Sequence, residues 1–256
     1  MVVADLHVHT TNSDGTLTLS TLVDAAEAAG VTAVAVTDHD RLHPELRTPV
    51  SALGELTVVH SIELRVKTGD ERVDLLGYGA RRTDDLTALV EHLQTDRIER
   101  GREIIERVEA RVGVDLPLEP REGLGRPHIA RAIESAADYS YEGAFEELIG
   151  DDCPCFVARD VPTFEEGRAV LAAACGLVSL AHPFRYDDPA AALELCADLD
   201  AVERFYPYGR AVDVPLVERA VERYDLLATG GTDAHGETLG RAGLDRKDYR
   251  RFRAAL

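Results

Sequence analysis

Lysine is nearly missing from this chain: it occurs only at Lys67 and Lys247, and every other basic residue is arginine. Positive charge is scarce overall, with 28 Lys+Arg against 47 Asp+Glu and a formal charge of −19. The acidic excess is spread along the chain and forms no tail, a pattern expected of a protein working in a salt-rich cytoplasm. At molar ionic strength the Debye length shrinks to about 3 Å, so a strongly acidic surface stays soluble and its self-repulsion is screened. Binding of duplex nucleic acid through a basic surface is disfavoured, because neutralising phosphates needs clustered Lys and Arg. A phosphate-bearing substrate would therefore need bound cations.

Long apolar runs are also missing. None approaches the roughly 18 to 20 residues that cross a bilayer, and the opening MVVADLHVHT has no basic region, apolar stretch or cleavage site. No membrane partner and a cytoplasmic location are the expectations. Cysteine is sparse, and Cys153, Cys155, Cys175 and Cys196 fit no paired zinc spacing, so they read as free thiols.

What is present is a chain of 256 residues, 45% hydrophobic, with a regular alternation of short apolar strands and amphipathic helices. Strands are expected at 2–7, 31–37, 56–63, 72–78, 176–181, 201–205 and 226–230, the 72–78 strand antiparallel to its predecessor across a short turn at Gly69. Helices are expected at 18–29, closed by Gly30, and at 163–174, 190–197 and 212–223. Between about 84 and 160 the pattern changes to long charged helices without strong strands, which reads as a cap-like helical insertion within a single domain spanning 1–256. About seven alternating strands imply an α/β fold, a (β/α) barrel, with a doubly wound open sheet as the alternative.

Histidine placement carries the chemistry. His7, His9, His39, His182 and His235 each fall at or just past the C-terminal end of an expected strand, and Asp233 joins them. That end holds the active site in such barrels. Residues two apart in an extended segment share a face, which pairs His7 with His9, Asp38 with Asp40 and Asp233 with His235. Mixed imidazole and carboxylate ligation suits Zn, Mn or Fe. His92 reads as solvated helix surface, and His43 and His60 as structural.

Several segments together resemble one family. Asp5-Leu6-His7-Val8-His9-Thr10 is followed by Ser13-Asp14-Gly15, Thr37-Asp38-His39-Asp40, Glu63 and Gly125-Arg126-Pro127-His128. Then come Ala181-His182-Pro183 and Gly231-Thr232-Asp233-Ala234-His235-Gly236. Their types and order resemble the PHP (polymerase and histidinol phosphatase) family of metal-dependent phosphoesterases. Arg126-Pro127-His128 and Pro154-Cys155-Phe156-Val157 resemble the branch containing nucleoside 3′,5′-bisphosphate phosphatases and 5′-to-3′ exoribonucleases.

The resemblance implies a distorted (β/α)7 TIM-like barrel with two or three divalent ions at its rim, manganese foremost and zinc, iron or magnesium as alternatives. It implies that His7, His9, Glu63 and Asp233 hold one ion. Glu63, Asp74 and His128 would hold a second, and Asp14, His39 and His235 a third, with His182 close by as a ligand or a phosphate contact. The chain departs from the pattern at Asp74, where the family usually places histidine. A carboxylate there adds negative charge, favouring Mn or Mg, or leaves the slot vacant and the centre with two metals.

The implied reaction is hydrolysis of a phosphate ester on a small phosphorylated substrate, such as a nucleoside 3′,5′-bisphosphate or a short oligonucleotide, by metal-activated water. Candidates for proton transfer are Asp38, Asp40 and His182, and for phosphate contacts Arg126, Arg185 and His182. Two alternatives stand beside it: a small-metabolite monophosphatase of the histidinol-phosphate kind, and a barrel that binds metal or phosphate without catalysis. Glu203, near a strand end, reads either as a support for the site or as a solvated residue.

Overall fold

The computed structural model describes residues 1–69 and 71–256. The chain divides into two compact units, one built from Met1–Ala88 and Val161–Leu256, the other from Leu89–Asp160. In chain order the elements are β1 (Ala4–Val8), α1 (Leu19–Ala29), β2 (Ala33–Val36), β3 (Val50–Leu53), β4 (Leu56–Thr68) and β5 (Glu71–Tyr78). Next come α2 (Asp84–Val112), α3 (Arg126–Ala136), α4 (Tyr141–Ala144) and a π-helical turn, Phe145–Ile149. The last part holds α5 (Phe164–Ala174), β6 (Leu177–Leu180), α6 (Pro189–Glu194), β7 (Ala201–Phe205), α7 (Val214–Tyr224), β8 (Leu227–Gly230) and α8 (Arg246–Ala255).

In the first unit the strands form one sheet in the order β1-β2-β4-β5-β6-β7-β8, with β3 paired to β4. β1–β2, β2–β4, β6–β7 and β7–β8 are parallel, while β5 runs against both neighbours. The reversal follows from the β4–β5 hairpin, whose ladder runs unbroken from Ser61↔Tyr78 to Thr68↔Glu71. The sheet curls, because the chain after β8 returns to β1: His9 N–H donates to Ala234 O at 2.9 Å and Ala234 N–H to His7 O at 3.1 Å.

Local chemistry explains the elements that carry the site. α1 starts where the Thr18 hydroxyl accepts from the Thr21 N–H, and it stops at Gly30, whose φ of 69° lies in the left-handed region that costs glycine nothing. Its apolar face, Leu22 and Ala26, packs with Val8, Val34, Val36 and Val58. Fully burying one such leucine contributes about 1.5–3 kcal/mol. β2 is buried along its whole length, as its Ala-Val-Ala-Val sequence requires of a strand covered on both faces.

In the second unit, Ile104, Val108, Ile129, Ile133 and Leu148 form a core of their own. The long helices expected between about 84 and 160 are interrupted in the second half of that stretch, because Ala137 is extended and Ser140 starts a new helix by capping the Gly143 N–H.

Other expectations need correction. β4 runs past Glu63 to Thr68, because the hairpin partner β5 supplies a ladder there. β3 is a half-exposed edge strand with weak apolar alternation, and α8 is dominated by arginine; neither stood out in the sequence. No helix among the described residues is long and apolar enough to cross a membrane.

Candidate metal centre

Strand ends of the first unit deliver the cluster. β1 supplies His7 and, one residue past its end, His9. The β1–α1 loop supplies Asp14, the segment after β2 supplies His39, β4 supplies Glu63, and the turn after β6 supplies His182. Asp233 and His235 follow β8. Five non-glycine residues among those described have positive φ, and three of them, Asp40 (φ 53°), His182 (φ 27°) and Asp233 (φ 54°), lie in these rim segments. Each such conformation costs on the order of 1–3 kcal/mol and persists only where surrounding contacts enforce it. Gly231 permits a close approach: a Cβ there would stand 2.3 Å from His7 N.

Glu63 lies at the centre and is 1% exposed. His7 Nε2 stands 3.4 Å from Glu63 Oε1 and 3.4 Å from Asp233 Oδ1. His9 Nε2 stands 3.4 Å from Glu63 Oε2 and 3.1 Å from Asp233 Oδ1. His39 Nδ1 lies 2.8 Å from Glu63 Oε2, and the Asp14 carboxylate faces His39 Nε2 at 3.8 Å and His235 Nε2 at 3.4 Å. On the other side His182 Nε2 reaches Glu63 Oε1 at 3.0 Å and Asp74 Oδ2 at 3.7 Å. Ring centroids of His9 and His39 are 4.4 Å apart, and those of His9 and His235 4.2 Å apart.

Three sets of side chains offer donor atoms close enough to share an ion: His9, Asp14, His39 and His235; His7, His9 and Glu63; and Glu63, Asp74 and His182. None includes a cysteine, and the four cysteines are free.

His7 Nε2, both ring nitrogens of His9, Asp14 Oδ1, Glu63 Oε2, His182 Nδ1 and Asp233 Oδ1 are buried and lack a hydrogen bond. Buried polar atoms without partners cost roughly 1–3 kcal/mol each, so such a convergence needs an occupant. Most are lone-pair donors facing one another, and a divalent ion satisfies that arrangement. The first two sets fit bound ions.

The charges agree. Burial opposes an imidazolium at His7, but Glu203, Asp233 and Glu63 together outweigh it and raise its pKa well above the ordinary histidine value. Burial also opposes the carboxylates, yet His39 and His7 pull Glu63, and His7 and His9 pull Asp233, well below the usual range. Burial, reinforced by His39 and His235, lowers His9, leaving a neutral ring with a lone pair to give.

The supporting residues were less legible in the sequence. Glu203, fully buried, accepts from His182 N–H at 2.8 Å and pairs with His7 Nδ1 at 3.1 Å, turning His7 Nε2 toward the cluster. Asp233 Oδ2 accepts from the Tyr206 hydroxyl at 2.8 Å and from Arg185 Nη1 at 2.9 Å, which leaves Oδ1 for the centre. Asp5 accepts from Thr232 N–H and Gly240 N–H at 2.8 and 2.9 Å, tying β1 to the loop after β8. Strand-end position marked Glu203. Nothing in the sequence marked Tyr206 or Arg65, although Tyr206-Pro207-Tyr208 directly follows a strand.

The residues expected to move protons are placed unevenly. His182 belongs to the cluster. Asp38 does not join it: its oxygens accept from Thr10 N–H, the Thr10 and Ser13 hydroxyls and the Asn12 amide, so it clamps the β1–α1 loop. Asp40 accepts from Arg65 N–H at 3.1 Å and positions β4. Asp74 sits in β5 with both oxygens held by Arg65, Nε at 2.7 Å and Nη2 at 2.6 Å. Arg185 stands at the cluster with its side chain 54% exposed.

His128 and Arg126 belong to the second unit. His128 Nδ1 accepts from Gly125 N–H at 3.1 Å at the start of α3. Arg126 donates to Ile149 O and Asp151 Oδ1 and lies over Phe145 and Phe156. Arg100 of this unit is 7% exposed and donates to Val157 O. Burial, then Arg159, Arg126 and Arg97, push its pKa down to about 9, because these arginines lie close together within the unit. His92 meets Asp160 at the surface, and His43 and His60, both buried, stand outside the candidate metal sets.

Comparison with known proteins adds the relatives. Residues 5–174 match the PHP domain. A 3′,5′-nucleoside bisphosphate phosphatase of Chromobacterium violaceum is 26% identical across 92% of this chain and 88% of its own. The 5′-3′ exoribonuclease Rnm of Salmonella typhimurium is 31% identical across 73% of this chain and 67% of its own. A crystal structure of a Bifidobacterium adolescentis protein, described provisionally as a metal-dependent phosphoesterase, superposes with a TM-score of 0.80 at 25% identity, covering 98% of this chain and 96% of that one. With two thirds of its length matching that domain, the chain belongs to the PHP domain family and is a hydrolase.

Proposed function

We propose that this metal-dependent phosphoesterase removes a phosphate from a nucleotide, with a nucleoside 3′,5′-bisphosphate as the leading substrate and manganese as the working ion. The observation that carries the reading is the convergence of unsatisfied imidazole nitrogens and carboxylate oxygens on one strand-end rim. In this reading the curled sheet is the (β/α)7 barrel of the family, and residues of about 84–160 are a helical insertion in it. The substrate class rests on the phosphatase and exoribonuclease relatives, which share phosphate-ester chemistry on nucleotides.

His7, His9, Glu63 and Asp233 would hold one ion, and Asp14, His39 and His235 another. Bound there, divalent ions supply an activated water and neutralise charge on the phosphate oxygens. The protein's own groups orient these ligands. Glu203 fixes the His7 ring, while Tyr206 and Arg185 fix the Asp233 carboxylate. Arg185, half in solvent and held by Tyr206 at 3.1 Å, is the cation available for a non-bridging oxygen. His182, whose backbone N–H is anchored by Glu203, keeps its ring against Glu63, where it contacts either an ion or the phosphate. Asp38 and Asp40 are left with structural duties.

The test is phosphate release from adenosine 3′,5′-bisphosphate by metal-stripped protein before and after manganese is restored. Manganese-dependent release from the 3′ position supports the reading. Metal binding with no turnover of this or any small phosphomonoester would overturn it in favour of a binding barrel.

A further inference from the structure

Two of the three donor sets behave alike and one does not. In the first two, His7 Nε2, both ring nitrogens of His9, Asp14 Oδ1 and Glu63 Oε2 are buried without a hydrogen bond, as is Asp233 Oδ1 beside them, while Glu63 Oε1 is met by His182 Nε2 at 3.0 Å. In the third set the Asp74 carboxylate is already matched: Oδ1 takes Arg65 Nε at 2.7 Å and Oδ2 takes Arg65 Nη2 at 2.6 Å. This two-pronged geometry is the one in which a guanidinium fork complements a carboxylate. It is built into the ladder, since Arg65 and Asp74 are directly opposed partners of β4 and β5. Both residues are locked further, Arg65 N–H to Asp40 Oδ1 at 3.1 Å and Asp74 N–H to the Tyr186 hydroxyl at 2.8 Å.

We propose that the Arg65 guanidinium stands where a third cation would otherwise be held, so that this chain binds two divalent ions and carries Arg65 as a fixed positive charge beside them. The inference rests on the metal-dependent reading above and concerns which positive groups make up the centre.

Charge bookkeeping favours the exchange. Two ions contribute +4 and Arg185 +1, and the carboxylates Asp14, Glu63, Asp74, Asp233 and Glu203 contribute −5, so without Arg65 the centre would be neutral toward an anionic phosphate; Arg65 makes it +1. A guanidinium is charged at any working pH, so the positive group is permanent. The Asp74 side chain is 2% exposed while that of Arg65 is 34% exposed, so the guanidinium seals the carboxylate and keeps part of its own edge open. A carboxylate at position 74 and an arginine at position 65 thus explain one another: a histidine at 74 would have no use for the guanidinium, and an unaccompanied aspartate would invite an ion. His128 also has its Nδ1 engaged, by the Gly125 N–H within its own unit.

The test is a metal count with positions. Full-length protein is saturated with manganese, desalted and analysed by plasma mass spectrometry, and crystals are examined by anomalous scattering at the manganese edge. Two ions per chain, neither touching Asp74, is the expected result. A third ion bonded to Asp74 in the unaltered protein overturns the proposal. No bound ion at all overturns the metal-dependent reading and this inference with it, a distinguishable result. Arg65→Met frees the carboxylate, and Arg65→Met with Asp74→His restores the family's imidazole. If Arg65 excludes the third ion, the count rises from two to three in at least one of these variants. A count of two in both folded variants overturns the proposal, and the unaltered protein's map decides the matter if neither folds.

Discussion

His60 offers a sharp test of the physical reasoning because it is buried, titratable and removed from the metal ligands. It lies in β4, 2% exposed, with its Nε2 lacking a hydrogen bond. Burial, helped by Arg82 and His43, pushes its pKa down to about 4. An unfolded chain returns it to about 6.5. Its neutral form therefore costs the fold nothing above about pH 6.5, and a penalty accumulates as the pH falls toward 4. With these two values the loss is about 0.8 kcal/mol at pH 6 and about 2 kcal/mol at pH 5, levelling near 3.4 kcal/mol below pH 4. The perturbation is His60→Leu, which fills the same space and cannot titrate. Denaturant unfolding of metal-stripped protein at fixed high salt, at pH 7.5, 6.0 and 5.0, gives the difference between the two proteins. Between pH 7.5 and 5.0 the unaltered protein should lose about 2 kcal/mol more than the variant. Parallel stability curves would refute the argument, showing that His60 is solvated or paired in the native state.

Three other outcomes follow from the site. Glu203→Ala leaves His7 Nδ1 and the His182 N–H buried without their acceptor, so the metal-free protein should lose about 2–4 kcal/mol by urea unfolding, and manganese affinity measured by chelator competition should fall about 10–100-fold. Gly231→Ala drives a methyl into the His7 backbone, and a loss of about 3 kcal/mol or outright failure to fold is expected, read by circular dichroism on heating. Manganese at a hundred times its dissociation constant should add about 2.7 kcal/mol per site, a rise in Tm of about 5–10 °C that EDTA reverses.

Much of this architecture was legible because the signals were local. An apolar β-branched run after Gly30 marked β2, a short apolar run ending at Gly230 marked β8, and Thr18 and Gly30 marked the ends of α1. The ligand-bearing rim was legible for the same reason, since strand-end histidines two apart must share a face. What escaped depends on pairing across the chain. The extension of β4 past Glu63 exists because β5 lies beside it, and β3 exists because β4 offers an edge. Asp38 looked like a companion of His39 and Asp40, yet the β1–α1 loop folds back and occupies its oxygens from residues 25 to 28 positions away. The Arg65–Asp74 match is invisible until the hairpin register is known, after which the departure at Asp74 acquires a partner.

The most direct test of the central claim is the rate of phosphate release from adenosine 3′,5′-bisphosphate in high salt, comparing chelator-stripped protein, the same protein with manganese restored, and His39→Ala with manganese. Release is expected only in the second sample, from the 3′ position, with His39→Ala folded and inactive. Equal release by stripped and restored protein, or full activity in folded His39→Ala, would contradict it.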